Sequence, residues 1–150
     1  MQFNLPTFDA KVIEKDGQHR IYDPIRRKYV VLTPEELVRQ HFVHYLITEK
    51  GFPKELIANE VSIKLNRVSK RCDTVVYDSF LTPRMIIEYK APSVPIVEEV
   101  FNQIIRYNMT LHVPYLVISN GVEHYCIKVD YEKGSCVFQE EIPLYEIIST

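Results

Sequence analysis

The segment 72-CDTVVYDSFLTPRMIIEYK-90 decides the fold of this chain of 150 residues. Two runs rich in aliphatic and β-branched residues, 72–77 and 84–90, flank a short polar stretch that contains Pro83. Apolar runs of this length, separated by turn residues, predict two adjacent antiparallel strands. The strands carry three charged side chains near one end, and their register decides whether those charges meet.

Symmetric pairing around the 78–83 turn sets that register. The predicted cross-strand pairs are Tyr77 with Arg84, Val75 with Ile86, and Asp73 with Glu88. Directly opposed side chains lie ~4.5–5.5 Å apart at Cβ. Lys90 follows Glu88 by two residues, so both side chains project to the same face. One face of the hairpin therefore presents Asp73, Glu88 and Lys90 together.

Two opposed carboxylates repel each other, and each resists removal from water. A divalent cation resolves this conflict, because magnesium is held by one or two carboxylates together with water and phosphate oxygens. A lysine beside such a site can orient a water molecule or hold a phosphate. Asp73, Glu88 and Lys90 thus suit metal-assisted phosphodiester hydrolysis. The alternative is a strand-end salt-bridge cluster in which Lys90 neutralises both acids.

A helix is predicted upstream of these strands. Thr33 caps it, Pro34 suits its first position, and Glu36 completes a capping box. The pattern continues to about Lys50, and Gly51 ends the helix.

A second helix is predicted over 97–111, with Val100, Ile104, Tyr107 and Leu111 on its apolar stripe. The apolar run 115–119 predicts a strand parallel to 84–90, joined to it through this helix in a right-handed crossover. Asn120-Gly121 predicts a hairpin turn. The remaining predicted elements are a strand or packed coil at 29–32, strands 61–65, 123–129 and 135–139, a turn or short helical piece at 53–59, and a short helix within 142–148.

This order of elements predicts an α/β (α+β) fold, with a central mixed β-sheet flanked by helices on both faces. We expect one domain over residues 1–150, in which residues 1–22 form an N-terminal arm with extended pieces.

Five ordered segments carry a family resemblance: 23-DPIRRKYVVLTPEELVRQHFVHYL-46, RCDTVVYD, EYKAPS, FNQIIRYN and PYLVISNG. Asp73 followed by Glu88-Tyr89-Lys90, set between two helices, resembles the PD-(D/E)xK nuclease superfamily. The whole set resembles the N-terminal nuclease domain of type I restriction enzyme R subunits, in the form of small stand-alone Bacteroides-type relatives. The resemblance implies a restriction-endonuclease-like core. Residue 72 is cysteine where the superfamily pattern has proline.

The resemblance implies roles for the central residues. Asp73 and Glu88 would ligate Mg²⁺ or Mn²⁺, the backbone carbonyl of Tyr89 would add a ligand, and Lys90 would be the catalytic lysine. Many superfamily members also use an acid from the first helix. Glu36 is the candidate for that catalytic role, although capping the helix explains it equally well.

Gln103 and Tyr107 match a Gln-x-x-x-Tyr signature that lies beside the active site in some branches. Their spacing places them on one side of a helix, and the resemblance implies that they contact substrate. The alternative is that Tyr107 belongs to the core and Gln103 to the helix edge. Arg71 is the third candidate for substrate binding. It belongs to one of two basic clusters, 26–28 and 67–71, which either contact phosphates or are solvated surface.

The composition excludes several classes of protein. The chain is 46% hydrophobic and 25% charged with four glycines, which argues against a disordered or collagen-like protein. Its net charge of −2 argues against nucleic-acid binding through a global basic field. Cys72, Cys126 and Cys136 lack disulfide or zinc-knuckle spacing, so we expect reduced core thiols. No signal peptide or membrane span is recognisable, so we expect a cytoplasmic protein.

Two functions follow from these observations. The first is a magnesium-dependent endodeoxyribonuclease that hydrolyses DNA phosphodiester bonds. The second is a catalytically inactive module that keeps the nuclease fold and binds nucleic acid or a partner protein. The sequence contains no glycine-rich P-loop motif, so we expect any DNA translocation to depend on separate restriction or motor subunits.

Overall fold

The computed structural model describes residues 2–150. The strands are β1 Val12–Lys15, β2 Gln18–Asp23, β3 Lys28–Val31, β4 Ile57–Leu65, β5 Val68–Tyr77, β6 Pro83–Tyr89, β7 Tyr115–Ser119, β8 His124–Asp130 and β9 Ser135–Gln139. The helices are α1 Pro34–Glu49, α2 Glu98–Met109 and α3 Tyr145–Ile148, with a 3₁₀ turn at Lys54–Leu56. No helix within this described range is long and apolar enough to span a bilayer.

A six-stranded mixed sheet forms the centre, in the order β4-β5-β6-β7-β8-β9. β5 and β6 are adjacent and antiparallel, and β6 pairs parallel with β7 through the α2 crossover, as predicted. The other neighbouring pairs are antiparallel. The predicted fold class is therefore confirmed.

Helices cover both faces of this sheet, because successive residues of a strand point to opposite sides. Met85 and Ile87 of β6 pack in a buried cluster with Phe42 and Leu46 of α1. Ile86, which lies between them, packs in a second cluster that includes Ile105 of α2. The site described below lies between α1 and α2, where the end of β6 meets the middle of β5.

The predicted start and end of α1 are largely confirmed. The Thr33 hydroxyl accepts a hydrogen bond from the Glu36 backbone N–H at 3.0 Å. Gly51 follows the helix with φ +74, a left-handed conformation that favours glycine. The reciprocal half of the capping box is absent, since the Glu36 carboxylate bonds to Arg26, Arg39 and Gln40 instead.

The predicted register is correct at Val75, which pairs with Ile86, but wrong at Tyr77. Tyr77 pairs with Pro83, and the register shifts between Val76 and Tyr77. The Asp78 carboxylate accepts backbone hydrogen bonds from Phe80 and Thr82. These bonds close an asymmetric loop, and the strands therefore do not meet symmetrically around it.

Three further predictions need correction. Tyr107 lies on the exposed side of α2, whose buried helix residues are Ile105 and Asn108. The 53–59 segment contains the 3₁₀ turn, but its last three residues already belong to β4. Cys72 and Cys126 are buried thiols, whereas Cys136 is exposed on the edge strand β9.

The N-terminal region contains more regular structure than the predicted extended arm. β1, β2 and β3 form a separate three-stranded antiparallel sheet. Asp23, at the end of β2, is fully buried. It begins a chain of ion pairs that reaches the site.

Candidate active site

A cleft of about 710 Å³ opens between the two long helices, where the end of β6 meets the middle of β5. It gathers seven of the eight residues that the sequence put forward for the site. These are Arg71, Asp73, Glu88, Tyr89, Lys90, Gln103 and Tyr107. The eighth, Glu36, is not among the lining residues, and its neighbour Glu35 lines the cleft instead.

Asp73 lies at an irregular point of the β4–β5 ladder. Asn59 pairs with Thr74 and Val61 pairs with Cys72, so the position of Glu60 opposite Asp73 is left out of the register. Glu60 has φ +56, in the left-handed region that side chains rarely adopt. Irregularities of this kind occur next to active sites, where they redirect side chains.

Two contacts hold Asp73 in place. Its carboxylate oxygen Oδ2 accepts a hydrogen bond from the Tyr89 backbone N–H at 2.9 Å, which links the end of β6 to the middle of β5. Its backbone carbonyl accepts a hydrogen bond from Arg39 of α1. The carboxylate is therefore fixed by β6 and its backbone by the helix.

Glu88 carries a carboxyl group that is poorly matched to its surroundings. Its oxygen Oε1 is buried and has no hydrogen-bond partner within residues 2–150. Burial, and then the negative charge of Asp73, raise the pKa of Glu88 to about 9. The amide of Asn108 and the charge of Lys90 oppose this shift without cancelling it. A buried acceptor without a donor is a position where a cation is favourable.

Lys90 does not resolve the conflict between the two acids. It forms no ion pair with Asp73 or Glu88, or with any other acid in the described part of the chain. Its backbone N–H donates to the Ser119 carbonyl at 2.9 Å, which continues the β6–β7 pairing and holds the residue at the cleft. This arrangement disfavours the salt-bridge cluster as an explanation of the three charges.

An alternating series of acids and arginines, which we call the ion-pair ladder, runs beneath the cleft and ends in it. Each acid contacts an arginine on one or both sides. Its members in order are Asp23, Arg26, Glu36, Arg39, Glu60 and Arg71. Glu36 stands in the middle, and its side chain is 6% exposed. Both of its oxygens accept hydrogen bonds from arginines, so it supports the site rather than facing the cleft.

Tyr107 and Gln103 line the cleft from α2. Tyr107 is 43% exposed, which argues against its being a core residue. The Lys70 ammonium lies 4.0 Å from the centre of the Tyr107 ring, a cation–π contact between β5 and α2. On the α1 side, Arg71 donates from Nε to Glu60 at 3.0 Å while its side chain remains 66% exposed.

Three residues of the site were missed at the sequence level. Arg39 reads as an ordinary polar position on α1, yet it is buried and contacts the Asp73 backbone. Glu60 reads as the start of an alternating strand and gives no sign of its positive φ. Asn108 could have been recognised from the sequence, because it lies three residues after Ile105 and therefore on the same buried side of α2.

The donor set suits a hard cation with few protein ligands. Within residues 2–150 no group of three or more His, Cys, Asp or Glu side chains is arranged to hold a metal ion. Asp73 and Glu88 supply two carboxylates, which is the number that magnesium typically takes from a protein when phosphate and water complete its shell. The unpartnered Oε1 of Glu88 fits that requirement.

A family model described as "Type I restriction enzyme R protein N terminus (HSDR_N)" matches residues 34–143. The matched range contains α1, the six-stranded sheet and α2, together with every residue assigned to the site from the sequence. Comparison with curated proteins gives no match.

Among solved structures, the chain is similar to a fragment of a putative HsdR subunit of a type I restriction enzyme from Vibrio vulnificus YJ016. The TM-score is 0.52 at 17% sequence identity, and the match covers 75% of this chain. It covers 24% of the Vibrio chain, so this chain corresponds to about a quarter of that protein's length. At this identity the likeness shows the shared fold.

Proposed function

Because the chain belongs to the family of type I restriction enzyme R protein N-terminal domains, we propose that it is a metal-dependent nuclease domain that hydrolyses DNA phosphodiester bonds. The observation that carries the proposal is the pair Asp73 and Glu88 in an open cleft. Glu88 has a buried oxygen without a partner, and no lysine or arginine forms an ion pair with either acid in the described residues. Two neighbouring acids of this kind do not both ionise without a cation, which is why the pKa of Glu88 is raised.

Asp73 and Glu88 would hold Mg²⁺ or Mn²⁺, with the backbone carbonyl of Tyr89 as a further ligand. The cation would supply Lewis-acid stabilisation of the negative charge that develops on the phosphate. Asp73 is prepared for this role, because the Tyr89 N–H fixes one of its oxygens. Glu88 gives up its proton when it becomes a ligand.

Lys90 lines the same cleft and keeps its ammonium free of ion pairs within residues 2–150. It would orient the attacking water and stabilise the phosphate charge. Gln103 and Tyr107 face the cleft from α2, and Arg71 faces it from β5. These three side chains would position the substrate, Arg71 through its guanidinium and the other two as hydrogen-bonding groups.

The test separates ion binding from cleavage. Purified protein is incubated with plasmid and oligonucleotide DNA in Mg²⁺ or Mn²⁺, and Mn²⁺ binding is measured by calorimetry. We expect Asp73→Ala to abolish both ion binding and cleavage. We expect Lys90→Ala to keep ion binding and to lower the cleavage rate by ~10²–10⁴, as is typical for the loss of an acid–base group.

Lys128→Ala is the matched control, because Lys128 is an exposed strand lysine on β8 that does not line the cleft. It should leave ion binding and cleavage unchanged. If the wild type cleaves neither DNA nor RNA with either ion, and Lys90→Ala binds nucleic acid as the wild type does, the domain is instead an inactive binding module. Separate restriction or motor subunits are the partners we propose for DNA translocation.

A further inference from the structure

The β4–β5 hairpin extends beyond the irregularity at Glu60, and we call its outer part, residues 61–72, the hairpin arm. It contains four lysines and arginines and no aspartate or glutamate. The chain as a whole has a net charge of −2, so the arm is a local concentration of positive charge. The end of the arm nearest the cleft includes Arg71, which lines the cleft.

The irregularity at Glu60 turns the arm over relative to the rest of the hairpin. Ile57 packs in the buried cluster on the α1 side, whereas Ile63 packs in the cluster on the α2 side. The two residues are an even number of positions apart and would share a face in a regular strand. The apolar face of the arm therefore lies on the α2 side of the sheet. Its polar face lies on the α1 side and is continuous with the α1 side of the cleft.

The two faces of the arm differ sharply in character. Cross-strand pairing places Ser62 beside Arg71 and Lys64 beside Ser69 on one face. These four side chains are exposed, as are those of the turn residues at the tip, Asn66 and Arg67. The opposite face carries Val61, Ile63 and Cys72, which join the buried cluster, and Lys70, whose ammonium lies on the Tyr107 ring. One face thus docks the arm, and the other is left to solvent.

The basic groups on the exposed face are available to a ligand. Lys64 and Arg67 form no ion pair within residues 2–150. Arg71 uses Nε for Glu60, and the same described range contains no partner for its two terminal nitrogens. Serine, asparagine and arginine side chains are the usual donors to phosphate oxygens.

The cleft itself is a poor anchor for a polyanion without metal. Four acids line it, namely Glu35, Glu60, Asp73 and Glu88. The three bases in the lining are Arg39 and Arg71, which already pair with Glu60, and Lys90. Phosphates that approach the cleft therefore need a positive surface close by, and the arm is continuous with the cleft through Arg71.

We propose that the hairpin arm holds the phosphate backbone of duplex DNA beside the cleft, without reading sequence. The inference rests on the proposed nuclease function and assigns a binding surface for its DNA substrate. From Arg67 to Arg71 the arm spans ~13 Å at about 3.3 Å per residue, which is roughly four base-pair steps. A two-stranded ribbon fits the wide major groove of B-form DNA, whereas the major groove of A-form RNA is too narrow.

The test measures binding in EDTA, so that cleavage and metal do not contribute. Fluorescence anisotropy gives the affinity for a labelled DNA duplex over a series of salt concentrations. We expect Lys64→Ala combined with Arg67→Ala to weaken binding and to reduce the slope of log affinity against log salt by ~1.8, or ~0.9 for each lost phosphate contact. Lys64→Arg combined with Arg67→Lys keeps both charges and should keep the wild-type slope.

Lys15→Ala combined with Lys133→Ala is the matched control, since both lysines are exposed, lie outside the cleft lining and form no ion pair among the described residues. It should leave the slope unchanged. An unchanged slope in the arm variant, a wild type that fails to bind duplex DNA, or equal arm-dependent binding of duplex RNA or single strands would overturn the proposal.

The outcome is separable from that of the nuclease test. If the wild type cleaves no nucleic acid but the salt slope still depends on the arm, the nuclease function fails and the arm proposal stands. If the wild type cleaves DNA while the arm variant binds as tightly as the wild type, the arm proposal fails alone.

Discussion

Replacing Glu88 by glutamine should make the metal-free protein more stable at neutral pH, and the gain should grow with pH. Glutamine keeps the shape of the side chain and removes its ionisation. The unfolded chain releases the Glu88 proton near the ordinary pKa of 4.5, whereas burial and the Asp73 charge raise the pKa in the fold to about 9. Below pH 4.5 Glu88 is protonated in both the folded and the unfolded chain, so its ionisation does not reduce the free energy of unfolding there.

Between those two pKa values only the unfolded state ionises, and the wild type loses stability as the pH rises. The loss is ~1.4 kcal/mol per pH unit, so the advantage of Glu88→Gln should increase by about 3 kcal/mol between pH 5.5 and 7.5. For a chain of this size that corresponds to a relative shift of roughly 6–12 °C in melting temperature. Thermal unfolding followed by circular dichroism in EDTA measures it.

Three comparisons complete this experiment. Glu132→Gln, at an exposed turn position without an ion pair in the described residues, should show the wild-type pH dependence. Asp73→Asn should weaken the pH-dependent loss of stability, because it removes the negative charge that helps to raise the pKa of Glu88 in the fold. Magnesium should stabilise the wild type more at pH 7.5 than at pH 5.5, and Glu88→Gln much less. Parallel pH profiles for the wild type and Glu88→Gln would refute the reasoning.

Two further predictions concern stability, and chemical denaturation measures both. Arg39→Ala removes one of the two arginines that pair with buried Glu36, together with the hydrogen bond to the Asp73 carbonyl, and should cost ~3–5 kcal/mol. Arg71→Ala, on the exposed end of the ladder, should cost under ~1 kcal/mol. Equal losses would show that burial does not decide the effect. Gly121→Ala should cost more than Gly134→Ala, because both residues have positive φ but only at Gly121 would a Cβ lie 3.0 Å from the Phe3 ring; equal costs would exclude that contact as the cause.

The elements that sequence predicted well are those encoded by neighbouring residues. α1 begins at a proline after a threonine cap, and β7 is an uninterrupted apolar run, so both were placed to within about a residue. Strand composition predicted the β5–β6 pair, and the two acids were brought into one cleft because their register follows from Val75 and Ile86. Local propensity and periodicity suffice for such features.

The predictions from sequence fail where distant residues or the geometry of a loop determine the structure. The symmetric turn fails because Asp78 bonds to Thr82 and Leu81 adopts φ +62, which shifts the pairing of Tyr77 by one residue. The irregularity at Glu60 has no local sequence signal, since the residue stands in a run that alternates as a strand should. Arg39 meets Glu60 across 21 positions, and periodicity assigns a face to each residue but no partner.

The ion-pair ladder explains why Glu36 combines the features of a catalytic acid with a position outside the cleft. A buried ion pair seldom adds net stability over apolar residues of similar volume, but it is strongly destabilising when one partner is lost. The ladder repeats this arrangement from Asp23 beneath the cleft to Arg71 within it. Arg39, near its cleft end, also bonds the backbone of Asp73. The ladder therefore does more to fix the positions of Asp73, the proposed metal ligand, and Arg71 than to strengthen the fold, and Glu36 serves the site by holding Arg39 in place.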